Sequence, residues 1–538
     1  MAVELPPPQA PQQVTVEQVK EQNPATAINV KWQDYTLHII GGRSRVTKAN
    51  LEDIVADADS LSNAVRLINA AYYAAGYLGV RLSYALSGQD LYILTDFGKI
   101  TSVQAPPELL PYFEDFRGAL TDEELEPARA LASVHADRAG KVIDMRLKPA
   151  ADGSNDQTLV IKKRRKVKAD SASVRIDVGN PGNRYVGRYF ADIDIKGGIP
   201  SGDEFRGFLR HGISQLNKRA DASDFNDFIL GWNRVTPWGI FGVGYRRGYF
   251  DQTIADPAAT GGAAPAQGIL HGVEAYWIGV LMADFTQRLT VNAKVDRLSK
   301  QTSTRPTATA AAGGGAYEAT YQKEFYNSLE VGGTYYRLWD LDGWRFNWET
   351  GLSVRKGISS QDGYTYNNLR VQQDYFLDRF NLKLTLDHPE ELPLALDTWK
   401  FGFDLSTQYS DQVLPEQQQF VLGGANSLTA YLPGVAVGDS GVLFRLRAEW
   451  EGLALQDFRI VPRLFAEYGL AKSEVAPATA GLSRTQSASD IAAELSVQYR
   501  DWLELTGSTA FEIADQGIPD ATLADAQANY FMKLSLKF

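Results

Sequence analysis

Cysteine is absent from all 538 residues, which excludes disulfides, thiolate nucleophiles and cysteine-ligated zinc or iron–sulfur sites. Histidine is scarce. His38, His135, His211, His271 and His388 stand apart, with no helical pair spaced for zinc. Neither a Gly-x-x-x-x-Gly-Lys phosphate loop nor a Gly-x-Ser-x-Gly elbow occurs, and Gly313-Gly314-Gly315 lies in an Ala/Thr-rich stretch that reads as a loop. No catalytic residues, metal or cofactor are therefore expected, and the enzyme reading is set aside. Long apolar runs are missing too: Ala275 to Ala283 ends at Asp284, so a transmembrane helix is excluded. A membrane β-barrel stays open, because its strands need only about ten residues of alternating character. Met1-Ala2-Val3-Glu4 shows no basic segment followed by an apolar one, so we expect no signal peptide in this sequence and read it as cytosolic or mature. A net charge of −11 argues against nucleic acid as a partner, since a phosphate-binding face would need a local basic cluster.

What is plentiful is aromatic: Tyr 25, Phe 24 and Trp 10, against four Met. Residues 1–26, with Leu5-Pro6-Pro7-Pro8, read as an extended or mobile leader, with one short helix a candidate over Val14 to Gln22. From Ala27 the pattern is mixed α and β. Strands are expected over Ile28 to Ile40, and helices over Leu51 to Ala56 and Leu61 to Ala75. In the second helix Leu61, Val65, Ile68 and Tyr72 share one face, and Gly76 stops it. Val80 to Leu86 and Leu91 to Phe97 alternate as strands. A second unit follows, with a strand at Ile100 to Val103, helices over Leu109 to Phe116 and Asp122 to Ala132, and strands at Val142 to Leu147 and Thr158 to Ile161. This gives two small units, 27–98 and 99–168.

After Ala169 helix-period segments almost vanish. Alternating segments separated by turn residues replace them: Tyr185 to Lys196, Phe225 to Trp232, Phe241 to Phe250, Leu289 to Leu298, Phe346 to Val354, Leu382 to Leu386, Phe401 to Tyr409 and Val442 to Trp450. In the last of these, Phe444, Leu446, Ala448 and Trp450 share one face, while Arg445, Arg447 and Glu449 share the other. A soluble sandwich also alternates. A fully charged face opposite an aromatic one instead suits a wet lumen and a lipid-facing outside. Near the end, Tyr530, Met532, Leu534, Leu536 and Phe538 point one way, and Asn529, Lys533, Ser535 and Lys537 the other. A final strand ending on an aromatic resembles the signal by which bacterial outer-membrane barrels are recognised, with Phe538 as its last residue. At roughly 20 to 25 residues per strand and connection, 169–538 holds about 14 to 18 strands, most naturally 16.

These residues together resemble the two-partner secretion transporters (TpsB family), in which two polypeptide-transport-associated (POTRA) domains precede a 16-stranded antiparallel outer-membrane β-barrel. The resemblance lies in Leu67-Ile68-Asn69-Ala70-Ala71-Tyr72-Tyr73-Ala74-Ala75-Gly76-Tyr77, Leu91-Tyr92-Ile93 and the junction Gly98-Lys99-Ile100. It continues in the first-strand signature from Asp177 through Asn180-Pro181-Gly182-Asn183-Arg184-Tyr185-Val186-Gly187-Arg188 to Tyr189, with Gly202-Asp203 closing the next hairpin. Leu422-Gly423-Gly424-Ala425-Asn426-Ser427-Leu428-Thr429-Ala430-Tyr431 resembles the tip of a loop, about 411–441, that folds back into the lumen. Phe465-Ala466-Glu467-Tyr468-Gly469 resembles the inner-wall motif whose acid pairs with an Arg of that tip. Here the Arg position holds Thr429, and no Arg or Lys lies between Leu414 and Phe444. The family's ion pair is thus in doubt, and Glu467 is left to pair with Arg445, Arg447 or Arg463.

The resemblance implies an outer-membrane translocator with periplasmic POTRA domains. It would export a large secreted exoprotein, such as an adhesin, haemolysin or contact-dependent toxin, without nucleotide. Its other partners would be outer-membrane lipids and, during biogenesis, the barrel-assembly machinery. The leader is a candidate for the lumen-plugging helix of some members. The rival readings are an insertase of the barrel-assembly type and a diffusive channel or receptor. Lys162, Lys163, Arg164, Arg165, Lys166 and Lys168 form a basic run where the second POTRA domain meets the barrel. It reads either as a collar attracting an acidic client or as a solvated strand end facing lipid head groups.

Overall fold

The computed structural model describes residues 6–20, 27–149, 156–166, 171–182, 187–213, 225–255, 263–304, 320–341, 343–358, 363–364, 370–371, 374–388, 398–450, 452–475 and 483–538. Gly313-Gly314-Gly315, Lys168 and the stretch Asn183 to Val186 lie outside the described residues.

In the first unit, helix α3 begins where the Ser60 hydroxyl accepts a bond from the Asn63 N–H, and it runs Leu61–Ala74. Its buried stripe of Val65, Ile68 and Tyr72 packs with Leu37, Ile39, Leu82, Leu91 and Ile93 of the sheet. Helix α2, Lys48–Ala56, is closed by a capping box of Thr47 and Asn50. The sheet holds β1 (Gln12–Gln13), β2 (Ile28–Trp32), β3 (Tyr35–Ile40), β4 (Arg81–Ser87) and β5 (Asp90–Asp96), in the order β1-β4-β5-β3-β2.

Strand β1 gives the extended leader a place on the first sheet. Gln12 and Gln13 pair in parallel with Ser83 and Tyr84, and the Asn69 Nδ2 and Tyr73 hydroxyl donate to the carbonyls of Gln9 and Pro6. The short helix α1, Val16–Lys20, then buries Val19 against Ile40 and Ala85. The described leader residues therefore dock on the first sheet.

Gly98, at φ +58, turns the chain into the second unit, and a Cβ there would stand 2.3 Å from Gln157. Strands β6 (Lys99–Gln104), β7 (Lys141–Pro149) and β8 (Asp156–Arg165) form a sheet ordered β6-β8-β7. Helix α4, Asp122–Arg138, opens with a Thr121–Glu124 capping box. The helix expected over Leu109 to Phe116 is only a 3-10 turn at Leu110–Tyr112. Pro111 has no N–H to donate and disfavours helical backbone at Leu110, so the turn is not propagated.

Sixteen antiparallel strands, from Ala172–Gly179 to Phe531–Lys537, close into a barrel. Seven of the eight expected wall segments fall within strands, as Phe225 to Trp232 does in Phe225–Thr236; of Tyr185 to Lys196 only the part from Phe190 is strand, in Phe190–Gly198, and Tyr185 and Val186 lie outside the described residues. The outside is apolar: Phe205, Val243, Leu352, Leu446, Leu464 and Met532 are all half-exposed or more exposed than that. In a soluble chain so much exposed apolar surface would drive association, whereas in lipid it is the solvated face. The strand Phe458–Lys472 shows the alternation plainly, with Val461, Phe465, Glu467 and Ala471 buried and Leu464 and Tyr468 exposed.

The second unit docks on the barrel rim. His135 of α4 lies 3.0 Å from the Pro200 carbonyl through Nε2 and 3.0 Å from the Tyr112 hydroxyl through Nδ1. Arg138 bonds the Gly202 carbonyl and the Asn233 side chain, and Phe285 reaches α4 through its N–H, 3.4 Å from Asp122. The hairpin turns at 199–202, 237–238 and 284–286 thus mark the rim that bears the small units.

Candidate functional site

The chain leaves the strand Trp399–Tyr409 at the rim away from the small units, and the segment 410–439 turns back before the strand Ser440–Trp450. It is shaped locally by its own sequence. Phe420–Leu422 pairs with Ala436–Gly438, and Gly423 and Gly424, at φ +99 and +104, turn the tip. A Cβ on Gly423 would stand 2.2 Å from the Leu432 carbonyl, so the turn requires glycine. Inside the tip the Gly424 N–H donates to the Tyr431 carbonyl at 2.7 Å, and the Tyr431 N–H to the Leu428 carbonyl at 3.0 Å. Leu428, Thr429, Ala430 and Tyr431 are all buried, and Arg445 reaches the adjacent Ala425 carbonyl through Nη2 at 3.3 Å, next to Asn426.

The wall meets this tip with a row of three ionisable side chains. Register sets Arg445 opposite Glu467, and Glu467 opposite Asp490, so one cation and two carboxylates line up across three neighbouring strands. Glu467 Oε2 accepts the Thr429 N–H at 2.7 Å, and Asp490 Oδ2 accepts the Ala430 N–H at 2.7 Å. Arg445 Nε lies 2.6 Å from Glu467 Oε1, and its guanidinium stacks 3.9 Å from the Phe465 ring centre. The two tip amides turn their positive ends towards the adjacent acid groups, which share the one cation of that row. A hydrogen bond to a charged group contributes about 1.5–3 kcal/mol, and the apolar cluster of Leu428 and Tyr431 with Leu422 and Leu523 adds to the hold on the tip.

The Thr429 hydroxyl has no partner although it is buried, so this residue acts through its backbone. Of the three candidate partners for Glu467, Arg445 makes the pair. Arg463 bridges Glu449 and Glu494, each at 2.6 Å, and Arg447 lies over Gly402. The inner-wall Gly469 leaves room for the loop, since a Cβ there would come within 2.7 Å of Leu422.

Asp490 was not singled out from the sequence. The signal available was its place on an inward face, but only the register puts it beside Glu467. The base of the loop was missed as well. Lys300 pairs with Glu416, the Gln418 Nε2 donates to the Tyr326 hydroxyl at 3.0 Å, and the Gln408 Nε2 donates to the Gln418 carbonyl at 2.7 Å. A second segment supports the tip. The Leu432 N–H donates to the Ala526 carbonyl and the Ala528 N–H to the Ala430 carbonyl, and Leu523 of the short helix Asp520–Ala526 joins the same apolar cluster as Tyr431.

The basic run splits along a strand. Lys163 pairs with Glu108, Arg164 lies 3.6 Å from Asp144 and Lys166 pairs with Asp137 at 2.5 Å, while Lys162 and Arg165 are exposed. Phe538 exchanges backbone bonds with Val174 at 2.8 and 3.0 Å, so the last residue helps close the barrel seam. Among the described residues no group of three His, Cys, Asp or Glu side chains is placed to hold a metal.

Residues 318–490 match the family model described as haemolysin secretion/activation protein ShlB/FhaC/HecB. The stretch includes the loop, the inner-wall motif and Asp490. The heme/hemopexin transporter protein HuxB of Haemophilus influenzae is 23% identical over 309 residues, which are 55% of this chain and 48% of that protein. The match thus spans about half the length of the curated relative. Among solved structures, CdiB from Escherichia coli has a TM-score of 0.66 at 13% identity, covering 93% of this chain and 90% of that one. CdiB from Acinetobacter baumannii gives 0.60 at 14%, covering 93% and 89%. BamA from Haemophilus ducreyi lacking POTRA domains 1–3 gives 0.50 at 12%, covering 95% and 100%. These structural likenesses bear on the fold, a barrel preceded by POTRA-type units. Residues 318–490 thus resemble the haemolysin secretion/activation family, and the chain as a whole shares its fold with the two CdiB barrels.

Proposed function

We propose that the chain binds one large unfolded exoprotein through its two small α/β units and passes it outward through the barrel lumen without nucleotide. The observation that carries this reading is the closure itself. A charged inner wall is blocked by a loop whose tip is held to Glu467 and Asp490 by two backbone N–H groups. Such bonds can be exchanged for those of a passing chain, which offers the same N–H groups at every residue.

In this reading the small units lie in the periplasm, the segment 410–439 enters the lumen from outside, and the apolar outer face meets outer-membrane lipid. Capture uses strand addition. Edge strands such as β2 offer unpaired backbone groups to an extended client, with side-chain pockets selecting alternate residues. Folding of the client outside biases movement outward, and a client unable to fold should stall. Arg445 on the wall takes over the electrostatic role of the family's loop Arg, which Thr429 cannot supply. The client is an exoprotein of the adhesin, haemolysin or contact-dependent toxin class. The barrel-assembly machinery inserts the chain, with Phe538 as part of its recognition signal.

Quantitative proteomics of medium and outer membrane, comparing a deletion strain with its complemented parent, tests this reading. Loss of one large exoprotein with other barrels intact is the expected result. A broad fall in outer-membrane barrels would instead support an insertase, and no change in either fraction a diffusive channel.

A further inference from the structure

A cavity of about 650 Å³ lies between the C-terminal half of α4, strands β7 and β8, and the barrel strands nearest them. This is within the range of about 300–1,000 Å³ usual for binding sites. Seven cationic side chains and two carboxylates line it, in a chain whose net charge is −11. The small unit contributes Arg129, Arg138, Lys141, Arg164 and Lys166, of which Arg129 pairs with Glu126 and Arg164 lies 3.6 Å from Asp144, and the wall contributes Lys196 and Arg206.

The two carboxylates are already engaged. Glu204 lies 3.0 Å from Lys196 Nζ and 2.6 Å from Arg206 Nε, and Asp137 lies 2.5 Å from Lys166 Nζ. Arg138 is buried and hydrogen-bonds only neutral groups, the carbonyls of Gly202 and Asn233 and the Asn233 amide oxygen, and its Nε has no partner. A buried guanidinium held by neutral acceptors keeps positive potential, which the charges of Glu204 and Asp203 offset only through space. The rest of the lining is apolar, with Val142 and Ile143 on one side and Ile240 and Ile278 on the other.

Register identifies which barrel face lines the cavity. Ile240 pairs with Ile278, and the adjoining pair is Phe241 with Trp277. Phe241 is exposed on the lipid side, so Ile240 and Ile278 point inward. Arg206 likewise alternates with the exposed Phe205. The cavity therefore belongs to the lumen mouth and not to the lipid-facing belt.

We propose that this vestibule is the receiving site for an acidic, partly apolar extended segment of the exported polypeptide. In an extended chain successive side chains face opposite ways, so alternating acidic and apolar residues present carboxylates to the cationic side and apolar groups to the isoleucine side. The site rests on the transport reading. It also gives the basic run a specific role, because Arg164 and Lys166 face the cavity while Lys163 turns away to Glu108.

Fluorescence anisotropy of a labelled ten-residue Glu/Leu alternating peptide with the purified full-length protein in neutral detergent tests the proposal. The expected result is saturable binding, at least tenfold weaker in the Lys141→Glu/Arg164→Glu variant, with no binding of the Lys/Leu counterpart. The milder pair Lys141→Gln/Arg164→Gln should lose several-fold, which keeps the test decisive if charge reversal disturbs folding. Equal binding of both peptides, no binding of either, or no change in either variant would overturn the vestibule. Displacement of the peptide by anionic phospholipid added to the micelles would assign the cations to head groups and overturn it too. Export in cells is read separately: a client still exported while the wild-type protein ignores the peptide removes the vestibule and leaves the transport reading standing. Peptide binding in a protein whose deletion changes no exoprotein does the reverse.

Discussion

The small units and the barrel are written in the same period-two code and bury opposite halves of it. In β5 the buried residues are Leu91, Ile93 and Thr95, the first two packed in the core under α3. In the strand Phe458–Lys472 the buried set includes Glu467, while Leu464 and Tyr468 face outward. A strand pattern states only that two faces differ. The medium decides which face is inside: water drives the apolar half of β5 into a core, and lipid accepts the apolar half of the wall. Buried ionisable side chains occur in both regions, as Asp122, Glu126, Arg138 and Asp144 in the second small unit and as Arg355, Glu467 and Asp490 in the barrel, where Arg355 meets Asp296 and Glu330.

Substitutions on matched faces should break this symmetry unequally. The largest effect is expected from Glu467→Ala, which removes the carboxylate beside buried Arg445 and one acceptor of the tip. Breaking a buried pair in this way costs about 3–5 kcal/mol. Planar-bilayer recordings should show a higher open fraction than wild type, and an unchanged open fraction would refute the holding role of Glu467. Next in size, Ile93→Ala should destabilise the first unit by about 2–5 kcal/mol and leave the barrel intact. Thermal unfolding combined with the gel mobility of unheated protein separates the two responses. Leu464→Arg, a charge on the outward face, should cost about 2–4 kcal/mol if the residue lies near the bilayer midplane. Refolding titrations into lipid vesicles measure that penalty.

A smaller effect is expected at the junction of the two regions. Burial holds the His135 imidazole below its ordinary value, and Arg138 and Arg234 push it the same way, whereas the bond to the Pro200 carbonyl and the charge of Asp203 oppose them. The neutral ring, with Nε2–H donating to the Pro200 carbonyl and Nδ1 accepting from Tyr112, is therefore favoured when docked. With the docked value depressed, the contribution is complete above the ordinary value of 6.5 and falls away as pH drops below it. Protease accessibility of α4 should rise on mild acidification, and a flat profile would exclude His135 as the cause. The smallest effect belongs to Thr429→Ala. The hydroxyl has no partner and the backbone N–H stays in place, so stability and open fraction should shift by no more than about 0.5 kcal/mol.

The strand–turn rhythm after Ala169 and the stripe on α3 are local patterns, and for that reason they were legible. The Leu109 to Phe116 segment shows the limit of such reading: its apolar spacing suggested a helix, but Pro111 allowed one turn. The leader shows another limit. Nothing in a Pro-rich run announces that Gln12 and Gln13 will pair with β4, because the partner lies about seventy residues away and offers only backbone groups.

The candidate site divides along the same line. Thr429 and Glu467 stood out as departures from a recognised motif, and Arg445 was one of three possible partners. Asp490 gave no local signal at all. By itself the sequence determined that two mixed units precede a long alternating barrel, and which residues share a face, since periods of 2 and 3.6 are properties of neighbouring residues. Only the tertiary structure decided which residues meet across strands. Register placed Arg445, Glu467 and Asp490 in one row, and docking of α4 on the rim brought cations from two regions around one cavity. The physical reason is that both arrangements depend on pairings between distant segments, which hydrogen bonding between strands and the closure of the barrel select together.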